Sequence, residues 1–147
     1  MLRRSVVLLF VALGACASTP SAAPNAGDRA ASQALKLIGA PYRYGGASPS
    51  GFDCSGLVQY SFRHAGVALP HNTESLRRIT KALRLSELRR GDLLFFDQEG
   101  KKNSHVAIYV GEGEMVHAPS SGKRVRKDRL DSPYWRKHLS EVRRVSA

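Results

Sequence analysis

Cysteine is scarce in this chain of 147 residues, which has two, Cys16 and Cys54. Acidic residues are also in short supply, 12 against 23 lysines and arginines, giving a formal net charge of +11. No apolar run approaches the roughly 20 residues that a membrane-spanning helix needs. The most apolar stretch, Val6 to Leu13, is too short to span a bilayer but has the length of an export signal's hydrophobic region. No internal repeat or second linker is visible, and the stretch beyond residue 27 is about the size of one domain.

What is present at the N-terminus points to export. Arg3 and Arg4 precede the Val6 to Leu13 run, small residues come next, and then Cys16, the order of an export signal. Leu13-Gly14-Ala15-Cys16 resembles a bacterial lipobox, in which residues 1–15 are removed and Cys16 is acylated. An ordinary secretory signal cut nearby, with Cys16 incidental, is the plainer alternative. Ala17 in place of an aspartate implies, by resemblance to Gram-negative lipoproteins, the periplasmic face of the outer membrane. Residues 16–27 then form a lipidated cysteine and a flexible tether, and residues 28–147 the functional domain. An even cysteine count in an exported chain could also mean a disulfide. An acylated Cys16 could not take part, which would leave Cys54 as the free thiol of the mature chain.

Helical periodicity marks Asp28 to Ile38, with Asp28 as cap, Gly39 as stop, and Ala31, Ala34, Leu35 and Ile38 on the apolar face. A second helix runs from Cys54 to Ala65, burying Leu57, Val58, Ser61 and Phe62, and a short third one covers Thr73 to Thr80. Strands are expected at Asp92 to Phe96, Val106 to Val110 and Glu114 to Ala118, with Val125 and Leu139 to Val145 as further strands or edges. Helices ahead of antiparallel strands indicate an α+β domain. Much of the positive charge lies beyond Gly122, in a pattern that would suggest nucleic acid in a cytoplasmic protein. In an exported one it suits anionic surfaces or a solvated face, and no nucleic-acid partner is expected.

Cys54 opens its helix, where unsatisfied backbone N–H groups favour a thiolate, and Asp53 can cap that turn. His105 starts one strand and His117 lies in the next. Pairing Val110 with Glu114 across the loop Gly111-Glu112-Gly113 sets Ala107 opposite His117. Alternation then brings His105 and His117 to one face as diagonal neighbours. A thiol with two convergent imidazoles suits nucleophilic catalysis. The same residue types could hold zinc, although close-spaced paired ligands and a fourth ligand are lacking, and no metal or other cofactor is expected.

Pro41-Tyr42-Arg43-Tyr44-Gly45-Gly46, Phe52-Asp53-Cys54-Ser55-Gly56-Leu57-Val58, Leu69-Pro70, Arg90-Gly91-Asp92-Leu93-Leu94-Phe95-Phe96, His105-Val106-Ala107-Ile108-Tyr109-Val110-Gly111 and Met115-Val116-His117-Ala118 together resemble the NlpC/P60 family of cell-wall peptidases. In size and lipoprotein form the chain is similar to the single-domain Spr/MepS murein endopeptidase group. The resemblance implies a papain-like α+β fold with the nucleophile helix packed on a small antiparallel sheet. It implies Cys54 as nucleophile, His105 as general base and His117 as the group that orients it. Tyr42 and the Cys54 N–H would stabilise the oxyanion, and Asp53 and Ser55 would bind the amine of the substrate stem, unless Asp53 is purely a cap. Tyr44 is expected to pack, and Ala107 stands where the family commonly has glycine.

The implied activity is hydrolysis of a peptidoglycan amide, either the D-Ala–meso-diaminopimelate cross-link or the γ-D-Glu–meso-diaminopimelate bond, by a monomer anchored in a membrane by its lipid. A lipid-anchored binding protein that keeps the fold without turnover is the alternative from another class.

Overall fold

The structure is a computed structural model that describes residues 22–146. The expected signal segment and Cys16 lie outside the described residues. Helix α1, Ala26–Lys36, begins two residues before the expected cap. Asn25 is the N-cap, accepting from the Asp28 N–H, and the Asp28 carboxylate accepts from the Asn25 N–H in return. Asp28 thus completes a reciprocal cap from inside the helix. Small residues make the buried face, Ala26, Ala30, Ala31 and Ala34, so α1 can approach its neighbour closely. Ile38, expected in the core, falls past the helix end, beside Gly39 at φ 96°, and is 45% exposed.

A two-stranded hairpin, β1 (Ala47–Ser48) and β2 (Gly51–Phe52), leads directly into α2, Cys54–His64. Leu57, Val58, Ser61 and Phe62 are buried on α2, as their spacing predicts. The short α3, Thr73–Ile79, comes next, capped by Asn72.

The remaining chain builds a six-stranded antiparallel sheet from β3 (Lys81–Leu83), β4 (Leu93–Gln98), β5 (Lys101–Gly111), β6 (Glu114–His117), β7 (Arg126–Arg129) and β8 (Leu139–Arg144), in spatial order β3-β8-β4-β5-β6-β7. The fold is therefore α+β, with the helix that starts at Cys54 against an antiparallel sheet. Alternation divides the sheet cleanly. Leu93, Phe95, Val106, Ile108 and Val116 join the core under α1 and α2, while Leu94, Phe96, Ala107, Met115 and Val142 form a second cluster on the other face. Each large side chain so buried contributes about 1.5–3 kcal/mol. A last short helix, α4 (Pro133–His138), covers part of that second face through Trp135.

The β5–β6 turn departs from the expected three-residue loop. Gly111 pairs with Glu114, so only Glu112 and Gly113 are in the turn, both with positive φ (55° and 75°), as twist-matched two-residue hairpins require. A bulge between Tyr109 and Gly111 absorbs the extra residue, and Ile108 then faces Val116. One residue further on, Ala107 is set toward His117, the register that the site needs.

Candidate active site

The site is assembled around the start of α2. Asp53 has extended backbone (φ −90°, ψ −179°), and its carboxylate accepts from the Gly56 N–H at 2.7 Å, from the Gly45 N–H at 3.0 Å and from the Ser55 hydroxyl at 3.4 Å. His71 Nε2 lies 2.7 Å from the same carboxylate. The cap therefore ties helix, preceding loop and the Leu69-Pro70-His71 turn to one group. The Gly46 carbonyl accepts from the Asp53 N–H and sits so close over Gly56 that a Cβ there would be 1.9 Å from the oxygen. Glycine is required at 56 by close approach.

Cys54 is the first residue of α2 and a free thiol, with Sγ 3.9 Å from Thr73 Oγ1. Burial pushes the thiol up from its ordinary value and Asp53 adds to this; the Val106 backbone, the Thr73 hydroxyl and the Ser55 backbone pull it down without prevailing. The helix terminus alone does not make Cys54 a thiolate at rest.

His105 and His117 meet as the register predicts, with His105 Nε2 2.8 Å from His117 Nδ1 and ring centroids 5.0 Å apart. Both side chains are buried. His117 Nε2 in turn lies 2.7 Å from Asp128 on β7, whose other oxygen accepts from Arg126 at 2.7 Å. Burial, reinforced by His117, pushes His105 down to about 3. Burial also lowers His117, with Asp128 offsetting only part of it. For Asp128 the hydrogen bonds from His117 and Arg126 outweigh burial and hold the carboxyl below its usual range.

Trp135 covers this pair. Its ring stacks on His105 (5.6 Å, 27°) and meets His117 edge-on (4.8 Å, 85°), with Phe96 completing the enclosure. The aromatic cover excludes water from one side of the imidazoles, which is the physical source of their low basicity. Beside it a cleft of about 760 Å³ opens, whose walls include Tyr42, Cys54, His105, Lys123, Tyr134 and Trp135 itself. Cys54 and His105 line this one cleft, and among the described residues no hydrogen bond joins them. Such pairs commonly tighten only when substrate is bound.

The depressed His105 has a consequence for stability. Its folded-state value lies below the unfolded one near 6.5, so the unfolded chain binds the extra proton and stability rises with pH between about 3 and 6.5. Going from pH 6.5 down to pH 5 should cost on the order of 2 kcal/mol. Thermal unfolding across that interval checks it: His105→Gln should flatten the slope, and a melting temperature unchanged with pH would contradict the burial argument.

Of the residues singled out from sequence, Cys54, His105 and Tyr42 line the cleft, and His117 stands directly behind His105. Asp53 and Ser55 do not line it; they belong to the capping network. Tyr44 does not pack as expected but is 90% exposed, turned outward just before Gly45 at φ 71°. A Cys/His/His zinc set is disfavoured because both His117 ring nitrogens are already committed to His105 and Asp128. Sequence reasoning does not single out Asp128, Trp135 or Thr73. The one signal for Asp128 is that it is the sole carboxylate in the basic stretch from Lys123 to Arg129.

Comparison with known proteins gives a consistent picture. The NlpC/P60 family profile matches residues 39–144. The bifunctional muramidase/DL-endopeptidase CwlT of Bacillus subtilis is 46% identical over 116 residues, covering 77% of this chain and 35% of that protein. The murein DD-endopeptidase MepH of Escherichia coli is 38% identical over 116 residues, covering 76% of this chain and 43% of that protein. A Staphylococcus aureus structure described as similar to a lipoprotein of the NLP/P60 family superposes with a TM-score of 0.74 at 37% identity, over 83% of this chain and 42% of that one. The chain spans between 27% and 63% of the length of the curated relatives it matches, and less than half of CwlT and of MepH.

Proposed function

Because the chain belongs to the NlpC/P60 family, we propose that it is a thiol endopeptidase that hydrolyses an amide bond in the stem peptides or cross-links of peptidoglycan. The observation that carries this reading is the shared cleft: Cys54 at a helix N-terminus and His105, its far nitrogen held by His117, line the same space. Both DL- and DD-endopeptidases occur among the relatives by name, so the γ-D-Glu–meso-diaminopimelate and D-Ala–meso-diaminopimelate bonds are both in range.

In the resting site the thiol and His105 are both neutral, since burial disfavours both charges. As the substrate carbonyl enters, His105 Nδ1 takes the thiol proton while Sγ bonds to the carbonyl carbon. The oxyanion that forms is met by the Cys54 N–H and the Tyr42 hydroxyl. Burial, then the neighbouring Cys54 and Asp53, keep Tyr42 above its ordinary value, so it remains an O–H donor. His105 gives its proton to the departing amine as the C–N bond breaks, leaving a thioester. Water, deprotonated by His105, hydrolyses the thioester to a carboxylic acid and restores the thiol. Asp53 and Ser55 serve by holding the start of α2, and a further role for them in binding the stem amine gains no support from the cleft walls.

The test is mass spectrometry of fragments released from purified sacculi, which also identifies the bond. Fragments cut at a peptide amide are expected; products cut only in the glycan strand, or none, would refute the reading.

We further propose export, with residues 1–15 as signal and Cys16 as the acylated residue; the tether that follows ends at the Asn25 cap of α1 rather than at residue 27, because Ala26 is already buried in the core, and the catalytic domain runs on from there. The enzyme would act as a monomer at the periplasmic face of the outer membrane. The ordered basic, apolar and small-residue pattern before Cys16 supports this. Cys16→Ala should shift the protein from the membrane fraction to the soluble fraction; continued membrane retention would refute anchoring.

A further inference from the structure

We propose that Asp128 is a positioning residue that sets the direction of the hydrogen-bond chain behind Cys54, so that His105 meets the thiol with an unprotonated Nδ1. The inference rests on the peptidase reading and extends it beyond the Cys54–His105–His117 set. A carboxylate held ionised can only accept hydrogen bonds. His117 Nε2, 2.7 Å from Asp128, must therefore carry the proton. In neutral His117 that leaves Nδ1 as an acceptor, and the group 2.8 Å away, His105 Nε2, must donate to it. Neutral His105 then has its lone pair on Nδ1, the nitrogen not engaged by His117. A fixed acceptor at one end thus selects both tautomers and makes His105 a base rather than a spectator.

Arg126 adds a second constraint. It faces His117 across the β6–β7 ladder, and its guanidinium, which can only donate, occupies Asp128 Oδ1 at 2.7 Å. In an Asp128→Asn variant the amide oxygen is drawn to Arg126, and the amide NH2 is left to face His117 Nε2. The chain then runs backwards: His117 Nδ1–H donates to His105 Nε2, and His105 carries its proton on Nδ1, where the thiol needs a vacancy. Removing Arg126 in that background frees the amide to rotate and accept from His117 again. Loss of a second contact should restore activity, an outcome that a purely structural role for Asp128 does not give.

The experiment combines kinetics on a purified muropeptide with 15N NMR of the imidazoles. Asp128→Asn should lower kcat by about a hundredfold and leave KM within about twofold. Adding Arg126→Leu should recover roughly tenfold of that loss. In the unaltered protein at neutral pH both histidines should show the Nε2–H tautomer, and in Asp128→Asn the His105 proton should move to Nδ1. Unchanged kcat in Asp128→Asn, a double variant no faster than the single, or Nδ1–H on His105 in the unaltered protein would each overturn the assignment. Activity that survives Cys54→Ala would instead defeat the peptidase reading, and the tautomers of the unaltered protein would still decide whether Asp128 sets the chain.

Discussion

Cys54→Ala should abolish fragment release from sacculi, a loss of at least about 10⁴-fold, while the protein still folds. The mechanism has one nucleophile, and the other groups in the cleft only move protons or hold charge. His105, His117 and Tyr42 would remain in place, yet none is positioned to make the acyl bond that the thiol makes. Folding should survive because alanine is the most favourable helix residue, Cys54 is the first residue of α2, and its Sγ makes only weak thiol hydrogen bonds, to the Thr73 hydroxyl and to the Val106 and Ser55 backbone. Stability within about 1 kcal/mol of the unaltered protein is expected, and denaturant unfolding measures it. Retained fragment release from a folded Cys54→Ala protein would end the thiol mechanism outright.

Gly56→Ala is expected to be damaging for a reason that involves no chemistry. The added methyl would overlap the Gly46 carbonyl and crowd the Asp53 carboxylate, 2.9 Å from the new carbon. Gly46 cannot simply move away, because its carbonyl accepts from the Asp53 N–H and its neighbour Gly45 donates to the Asp53 side chain. Relief requires breaking the cap that holds the start of α2. We expect a cost of about 3 kcal/mol, or roughly 10 °C in melting temperature for a domain of this size. Activity should fall together with stability, since the displaced loop carries Tyr42 into the cleft wall. A Gly56→Ala protein that melts with the unaltered one would show that the approach of Gly46 is looser than described.

Much of this site is legible in the sequence because its signals are local. Asp53 before Cys54, glycine at 56 and apolar spacing through Phe62 specify a capped amphipathic helix, and alternation along His105, Ala107 and Tyr109 specifies a face. The histidine register agrees with that alternation although the turn is a residue shorter than expected, because the bulge at Val110 compensates for it. The elements that escape have no apolar periodicity to read. Strand β7 is Arg126-Lys127-Asp128-Arg129, an edge strand of charges that exists because the β6 backbone is there to pair with it. Helix α4 is too short for a helical pattern to declare itself, so the placement of Trp135 over the histidines depends on tertiary packing. Asp128 is visible in the sequence as an odd acid in basic surroundings, but only the β6–β7 pairing turns it toward His117.

The place of β8 in the sheet bears on when this site comes into being. Residues 139–144 are not at an edge but lie between β3 and β4, pairing Lys81 with Arg144 and Leu93 with Arg143. Arg144 also clamps the buried Asp92 carboxylate through two of its nitrogens. Cys54, His105 and His117 all leave the ribosome before the strand that completes their sheet, and contacts so distant in sequence form late in folding. Loss of residues 139–144 would therefore spare every reactive group yet leave β3 and β4 without the strand that joins them, so the sheet carrying His105 and His117 would lose a central member rather than an edge.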